Sequence, residues 1–426
     1  MESQHIACIC DAGPSHVMTM GAIGRELQRR GHRVTVFQAP ELEGKIAAER
    51  LDFCPLETRG FSVQRYVDLV NEQQGISVRN FLEYATKSAR MLCEEAPRAL
   101  QAAGVNGAMV DISQPGGATA AEMAGLPFIS LCNALPLHSE PDVPPDFLPW
   151  GYRDAWWARA RNRVGYAVRN RMIRPLDRVL NSYRHSAGLQ PYGSPDDSFS
   201  RLAQITQLVK EFDFPRKRLP DCFHYVGPYR REGEAEAPFP FERLDGRAVV
   251  YASLGTVFGS RMEIWKAILE GCAGLDAQLV IALGGRAKAE SLAGGTGNAI
   301  VVDYAPQREL LRRAALAITH GGLNSVMEAL AAGVPMIAIP ITGDQFGVAA
   351  RVAYAGVGEI VPASKCTGTR IAAAARKILR TRAYREREAP ISAAIQRTQG
   401  AVSAAAIIEE VVATGRAVGR DAVPVS

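Results

Sequence analysis

Three short stretches carry residues able to do chemistry. "DAGPSHV" sets His16 in a turn directly after the apolar, β-prone "HIACIC", and "GAMVDIS" ends a second apolar run on Asp111. A histidine, with an ordinary pKa of about 6.5, can take the proton of a hydroxyl while that oxygen forms a new bond. A carboxylate on its other nitrogen would fix the tautomer and stabilise the imidazolium. Alone, His16 would read as a surface or capping residue; Asp111 at a second strand end gives it a partner. The third stretch is "ITHGGLNSVMEAL". A strand ending at His320, then Gly321, Gly322 and a helix opening with Leu323, Asn324 and Ser325, would aim unpaired backbone N–H groups at an anion such as a phosphate. The glycines permit close approach, and Asn324 and Ser325 add donors. Glu328, four residues after Asn324 on the same helix face, could accept both hydroxyls of a ribose. The plainer alternative is that Asn324 caps its helix and the glycines merely turn the chain.

These residues need strands to hold them. "HIACIC", the helical "VMTMGAIGRELQRRG" and "HRVTVFQ" make a βαβ unit; "GAMVDIS" and "LPFISLCNA" bracket the short helical "GGATAAEMAG". Residues 228–245, rich in Pro, Gly and charge, read as a linker. Strand and helix alternation then restarts with "RAVVYASLG" and runs through "AQLVIALGG", "NAIVVDYAP", "LAITH" and "VPMIAIP". The fold class is therefore α/β, with two doubly wound Rossmann-like domains, 1–227 and 246–390. A final helix over roughly Ile391–Thr414, following Pro390 and within a C-terminal segment 391–426, either closes the second domain or passes back to the first.

Composition narrows the class. The 426 residues are 22% charged and 47% hydrophobic, enough for a large core, and the net charge of +5 is too modest for a dedicated nucleic-acid binder. The eight cysteines are scattered without Cys-x-x-Cys spacing, as reduced structural thiols would be. No signal-peptide pattern opens the chain and no apolar run is long enough to span a membrane, which points to a cytoplasmic protein. No Asp-x-Asp or His-x-x-x-His pair stands where it could hold a divalent ion, and the Asp196–Asp197 pair reads as a solvated turn.

The run from Val302 to Gly358, "VDYAPQRELLRRAALAITHGGLNSVMEALAAGVPMIAIPITGDQFGVAARVAYAGVG", resembles the donor signature of family-1 nucleotide-sugar glycosyltransferases. The resemblance implies the GT-B fold: two Rossmann-like domains facing a central cleft. It also implies an inverting, metal-independent reaction drawing on UDP-glucose, with no permanently bound cofactor. By matched position, Tyr304 would stack on the uracil where plant relatives commonly carry Trp, and Ala305 and Gln307 would read its edge. His320, Asn324 and Ser325, with the Leu323 backbone beside Gly322, would hold the diphosphate, and Glu328 the ribose. Asp344 and Gln345 would bind hydroxyls of the transferred sugar, a pair that accompanies glucose in relatives. "YASLGT" would turn Ser253 and Thr256 toward the β-phosphate. His16 and Asp111 match the family's catalytic base and its partner.

Acceptor choice falls to the first domain. After a Pro-rich loop, the stretch from Arg153 to Arg174 carries seven Arg and one Asp, interleaved with Trp156, Trp157, Val164, Tyr166, Val168, Met172 and Ile173. A basic helix with such an apolar face can lie on an anionic bilayer, and it can equally pack on a core with its arginines solvated. The membrane reading makes residues 150–175 a peripheral contact at the inner face of the membrane. "CNALPLHSEPDVPP" and "WWARARNRVGYAVRNR" also resemble bacterial carotenoid glucosyltransferases, implying an elongated, lipophilic, hydroxylated acceptor such as zeaxanthin. Rival readings are transfer to a soluble aglycone, such as a macrolide, flavonoid or sterol-like compound, and a non-catalytic nucleotide-sugar-binding protein. A dinucleotide oxidoreductase is disfavoured: "CDAGPSHVMTMG" lacks Gly-x-Gly-x-x-Gly spacing, and no carboxylate ends the second strand.

Overall fold

The computed structural model describes residues 2–58, 60–65, 77–229, 237–285, 287–292 and 297–420. Residues 230–236 of the expected linker lie outside them. Two parallel sheets organise the chain. The first holds β1 (His5–Ile9), β2 (Arg33–Gln38), β3 (Asp52–Pro55), β4 (Gly107–Asp111), β5 (Phe128–Cys132), β6 (Gln204–Thr206) and β7 (Phe223–Tyr225), in the order β3-β2-β1-β4-β5-β6-β7. The second holds β8 (Ala248–Ser253), β9 (Ala277–Ala282), β10 (Ile300–Val302), β11 (Ala314–Thr319), β12 (Met336–Ala338) and β13 (Gly358–Ile360), in the order β10-β9-β8-β11-β12-β13. Their central strands are mostly apolar because crossover helices cover both faces of a parallel sheet; every residue of β4, β5 and β9 is buried, the polar Asp111, Ser130 and Gln278 included.

The crossovers of the first half are α1 (Pro14–Arg29), α2 (Glu43–Ala48), α3 (Val78–Ala103), α4 (Pro115–Met123) and α5 (Trp156–Ser186). Those of the second are α6 (Met262–Cys272), α7 (Gln307–Arg313), α8 (Leu323–Ala331), α9 (Gln345–Ala355) and α10 (Gly368–Arg380), followed by α11 (Ala383–Gln396) and α12 (Ala401–Thr414). Each sheet reverses its winding once, between β1 and β4 and between β8 and β11. At such a point two loops diverge beyond the strand ends and leave a crevice for a ligand.

The chain end differs from the single helix expected after Pro390. Pro390 lies inside α11, and the break falls at Gly400, with φ of +47°. There the backbone N–H donates to the Val226 carbonyl at 3.0 Å, and a Cβ would collide with the Pro228 carbonyl, so only glycine fits the crossing. Beyond it, α12 packs on α1, and Ala404, Ile407, Ile408 and Val411 enter the core that contains Ile6 and Ile9. Glu409 anchors it, accepting from Arg30 and pairing with His32, each at 2.8 Å. The two halves also meet directly: Arg351 of α9 pairs with Asp213, both buried, at 2.7 Å and lies over the Phe214 ring.

Candidate active site

The reversal point of the first sheet holds His16 and Asp111. Pro14 opens α1 at a position whose N–H would be unpaired in any case, and its fixed φ starts the helix there. His16 thus falls in the first turn, above the end of β1. Asp111 ends β4 with its side chain fully enclosed, and its Oδ2 accepts from His16 Nδ1 at 2.6 Å. The same oxygen accepts from Asn133 Nδ2 at 2.9 Å, while Oδ1 accepts from the backbone N–H and hydroxyl of Ser113 at 3.0 and 2.8 Å. Burial alone would push the Asp111 pKa up; the charge and hydrogen bond of His16, with Ser113 and Asn133, hold it down at about 2. Burial likewise disfavours a charged His16, but the Asp111 charge and hydrogen bond, with Asp11 and Asp344 adding, raise it to about 10. The imidazole is 21% exposed. Asp111 therefore keeps the Nδ1 proton in place, and Nε2 is the nitrogen left to exchange a proton with a substrate.

Ser113 and Asn133 escaped the sequence reading. Asn133 directly follows β5, as His16 follows the β1 loop, so a search of every strand end in this sheet for polar residues would have found it. Ser113 sits two residues past Asp111, where a side chain readily bonds back to the residue that starts a turn.

At the second reversal point, Ser253 ends β8 and His320 follows β11. The His320 ring packs against Gly255 and Gly322, where a Cβ on either would strike it. Burial pushes its pKa down to about 4, so it is a neutral imidazole that can still donate one hydrogen bond. Thr256 is exposed in the loop after Ser253. Among the described residues no side chain caps α8: Gly322 occupies the N-cap and Asn324 lies one residue inside the helix, which overturns the capping alternative. The first backbone N–H groups of α8 are thus open to an anion. The Asn324 Oδ1 instead accepts from Nε2 of Gln207, just past β6 of the first sheet, at 2.8 Å, a contact absent from the sequence reading. Ser325 follows on the same turn, partly exposed.

Around this helix start the other expected residues gather, with specific constraints. Glu328 accepts from Gln307 Nε2 at 2.7 Å, and the Gln307 oxygen accepts from the Tyr251 hydroxyl at 3.1 Å. Tyr304 is 57% exposed, leaving ring surface free to stack, and its hydroxyl lies over Gly285, where no Cβ would fit. Ala305 packs on the core of the second half. The Gln345 side-chain oxygen is taken by the backbone N–H groups of Ile341 and Thr342, at 2.9 and 3.1 Å, so only its NH2 remains to donate. Asp344, at the N-cap of α9, is raised to about 6 by burial and by the charge of Asp146, against the pull of His16. Asp146 comes from the loop after β5, whose backbone closes on Gly347 one turn further along α9. A crevice of about 290 Å³ lies between α1 and α8, lined by Thr19, Gln207, Asn324 and Glu328 among others. Among the described residues, no cluster of His, Cys, Asp or Glu is placed to hold a metal ion.

Two facing doubly wound sheets, one carrying a histidine–carboxylate pair and the other an open helix start, define a glycosyltransferase of the GT-B class. The fold is that of "CalG4, the Calicheamicin Glycosyltransferase", with a TM-score of 0.73 and 21% identity, covering 97% of this chain and 99% of that one. The chain belongs to the UDP-glucoronosyl and UDP-glucosyl transferase family, whose model matches residues 8–397. It is 38% identical over 425 residues to the zeaxanthin glucosyltransferase of Pantoea ananas, covering 97% of each chain. It is 35% identical over 368 residues to the zeaxanthin glucosyltransferase of Pseudescherichia vulneris, covering 84% of this chain and 86% of that one.

Proposed function

We propose that this enzyme transfers glucose from UDP-glucose to a hydroxyl of a lipophilic carotenoid such as zeaxanthin, forming a β-glucoside. The observation that carries the chemistry is the 2.6 Å bond between His16 and Asp111 at the cleft. Nε2 of His16 takes the acceptor's hydroxyl proton while that oxygen forms its bond to the anomeric carbon. The bond from that carbon to the diphosphate breaks on the opposite face, and UDP leaves with the electron pair. The α8 N-terminus, neutral His320 and the side chains of Asn324 and Ser325 receive the charge, with Ser253 and Thr256 toward the β-phosphate. Glu328 holds the ribose, Tyr304 stacks on the base with Ala305 and Gln307 at its edge, and Asp344 with the Gln345 NH2 binds sugar hydroxyls. In this division of labour residues 1–227 bind the acceptor, residues 246–390 the donor, and the segment from 391 ties the two together.

The choice of a lipophilic acceptor rests on the two relatives named above and on the outer face of α5. Trp156 is 78% exposed, Val164 63%, Val168 50% and Trp157 47%. α3, which packs along α5, exposes Val78 and Phe81 in its first turn. Of the arginines here, Arg159 and Arg169 are tied to Asp142 and Asp196, and Arg161 stacks on Trp150 and Trp157. Arg163, Arg171 and Arg174 are exposed and have no ion-pair partner among the described residues. Such a face suits an anionic bilayer, with indoles at the interface and guanidinium groups toward the headgroups. Among the described residues, no helix is long and apolar enough to cross a membrane. Changing Trp156 and Trp157 together to Glu should abolish sedimentation with anionic liposomes and slow glucosylation of bilayer-dissolved zeaxanthin about tenfold. Turnover of any water-soluble phenol that serves as a substrate should be unchanged. Undiminished liposome binding would remove the membrane role of this helix.

A further inference from the structure

Gln207 stands one residue past β6, 2% exposed, on the first-sheet wall of the cleft. Its side-chain amide meets two partners, the backbone carbonyl of Asn133 at 2.7 Å and the Asn324 side chain at 2.8 Å. A backbone carbonyl can only accept, so the atom facing Asn133 must be the Gln207 nitrogen. That nitrogen carries a second hydrogen, and it points at the Asn324 amide. Only an oxygen can accept it, so Asn324 presents Oδ1 to Gln207 and turns its own NH2 away. An anion seat needs donors; an amide rotated the other way would set an oxygen against a phosphate.

We propose that Gln207 is a positioning residue for donor binding: it locks the Asn324 amide so that its NH2, and not its oxygen, faces the diphosphate of the nucleotide sugar. The inference rests on reading the start of α8 as the diphosphate seat. Because Gln207 belongs to the first half and Asn324 to the second, the lock exists only while the two halves hold their present relation. The same run continues to the base. Gln207 fixes the Asn133 carbonyl, the Asn133 side chain donates to Asp111 Oδ2, and that oxygen holds His16. Diphosphate seat and dyad therefore share one hydrogen-bonded chain across the cleft.

The test is a double-mutant cycle on the full-length protein, reading the UDP dissociation constant by titration calorimetry. Asn324→Ala should weaken UDP about tenfold. Gln207→Met, which keeps the volume but frees the Asn324 amide to rotate, should weaken it about fivefold. In the Asn324→Ala background, Gln207→Met should add nothing. Uridine, which has no diphosphate, should bind the wild type and Gln207→Met equally well. Should methionine lower the melting temperature, Gln207→Ala runs the same cycle without overpacking. Equal weakening by Gln207→Met in both backgrounds, or none in either, would overturn the lock while leaving the seat in place. Unchanged UDP binding by Asn324→Ala would overturn the seat and the lock together.

Discussion

His16→Ala should lose turnover by at least a factor of about a hundred, while UDP binds within about twofold of the wild type. The asymmetry follows from position. In the proposed mechanism His16, at the start of α1 in the first half, meets the acceptor proton, whereas α8 and the strand-end loops of the second half hold UDP. Loss of the imidazole leaves the Asp111 carboxylate enclosed with Ser113 and Asn133 but without a cation, which costs stability. His16→Gln, which can still donate toward Asp111, separates the two effects: it should regain melting temperature but not activity. A His16→Ala enzyme working at near wild-type rate would remove the base from the mechanism.

Asp111→Asn should cost on the order of a thousandfold in kcat, because an amide no longer dictates which ring nitrogen carries the proton. Its second signature is a shift in pH dependence. The proposed mechanism needs His16 without its Nε2 proton. With the pKa raised to about 10, activity should climb with pH across the neutral range and continue into the alkaline range. The charge of Asp111 is the largest contribution holding that pKa up, against burial that pushes it down. Removing the charge while keeping the burial should therefore move the ascending limb toward acid. At neutral pH the residual activity of Asp111→Asn should be nearly independent of pH, whereas the wild type gains steadily. A limb that stays in place would mean that another group controls the profile.

The sites most open to sequence reading were those where a polar residue interrupts an apolar strand at its end. Asp111 and Ser253 stand out in this way, with His320 one residue past its strand and His16 in the helix start that follows β1, and a parallel sheet leaves few reasons for polar groups there other than a ligand or a cap. Gln207 and Asn133 lie at strand ends as well. Their importance comes from partners far along the chain, 117 residues in the case of Gln207 and Asn324, and such pairing leaves no local signal. Gln345 shows the opposite limit: matched position drew attention to its side chain, but the turn at Ile341 and Thr342 uses its oxygen. The break at Gly400 was equally hidden, because what forbids a side chain there is the carbonyl of Pro228, close in space and distant in sequence.

Inverting glucosyl transfer to a bilayer-dissolved carotenoid hydroxyl can be read from the product itself. Purified protein is given UDP-glucose and zeaxanthin in anionic liposomes, and the glycoside is extracted for mass spectrometry and for the proton coupling at its anomeric carbon. Zeaxanthin glucoside with the large coupling of a β-linkage is the expected product. An α-linked glucoside would contradict the base-assisted displacement, and hydrolysis of UDP-glucose with no glucosylated zeaxanthin would contradict the acceptor.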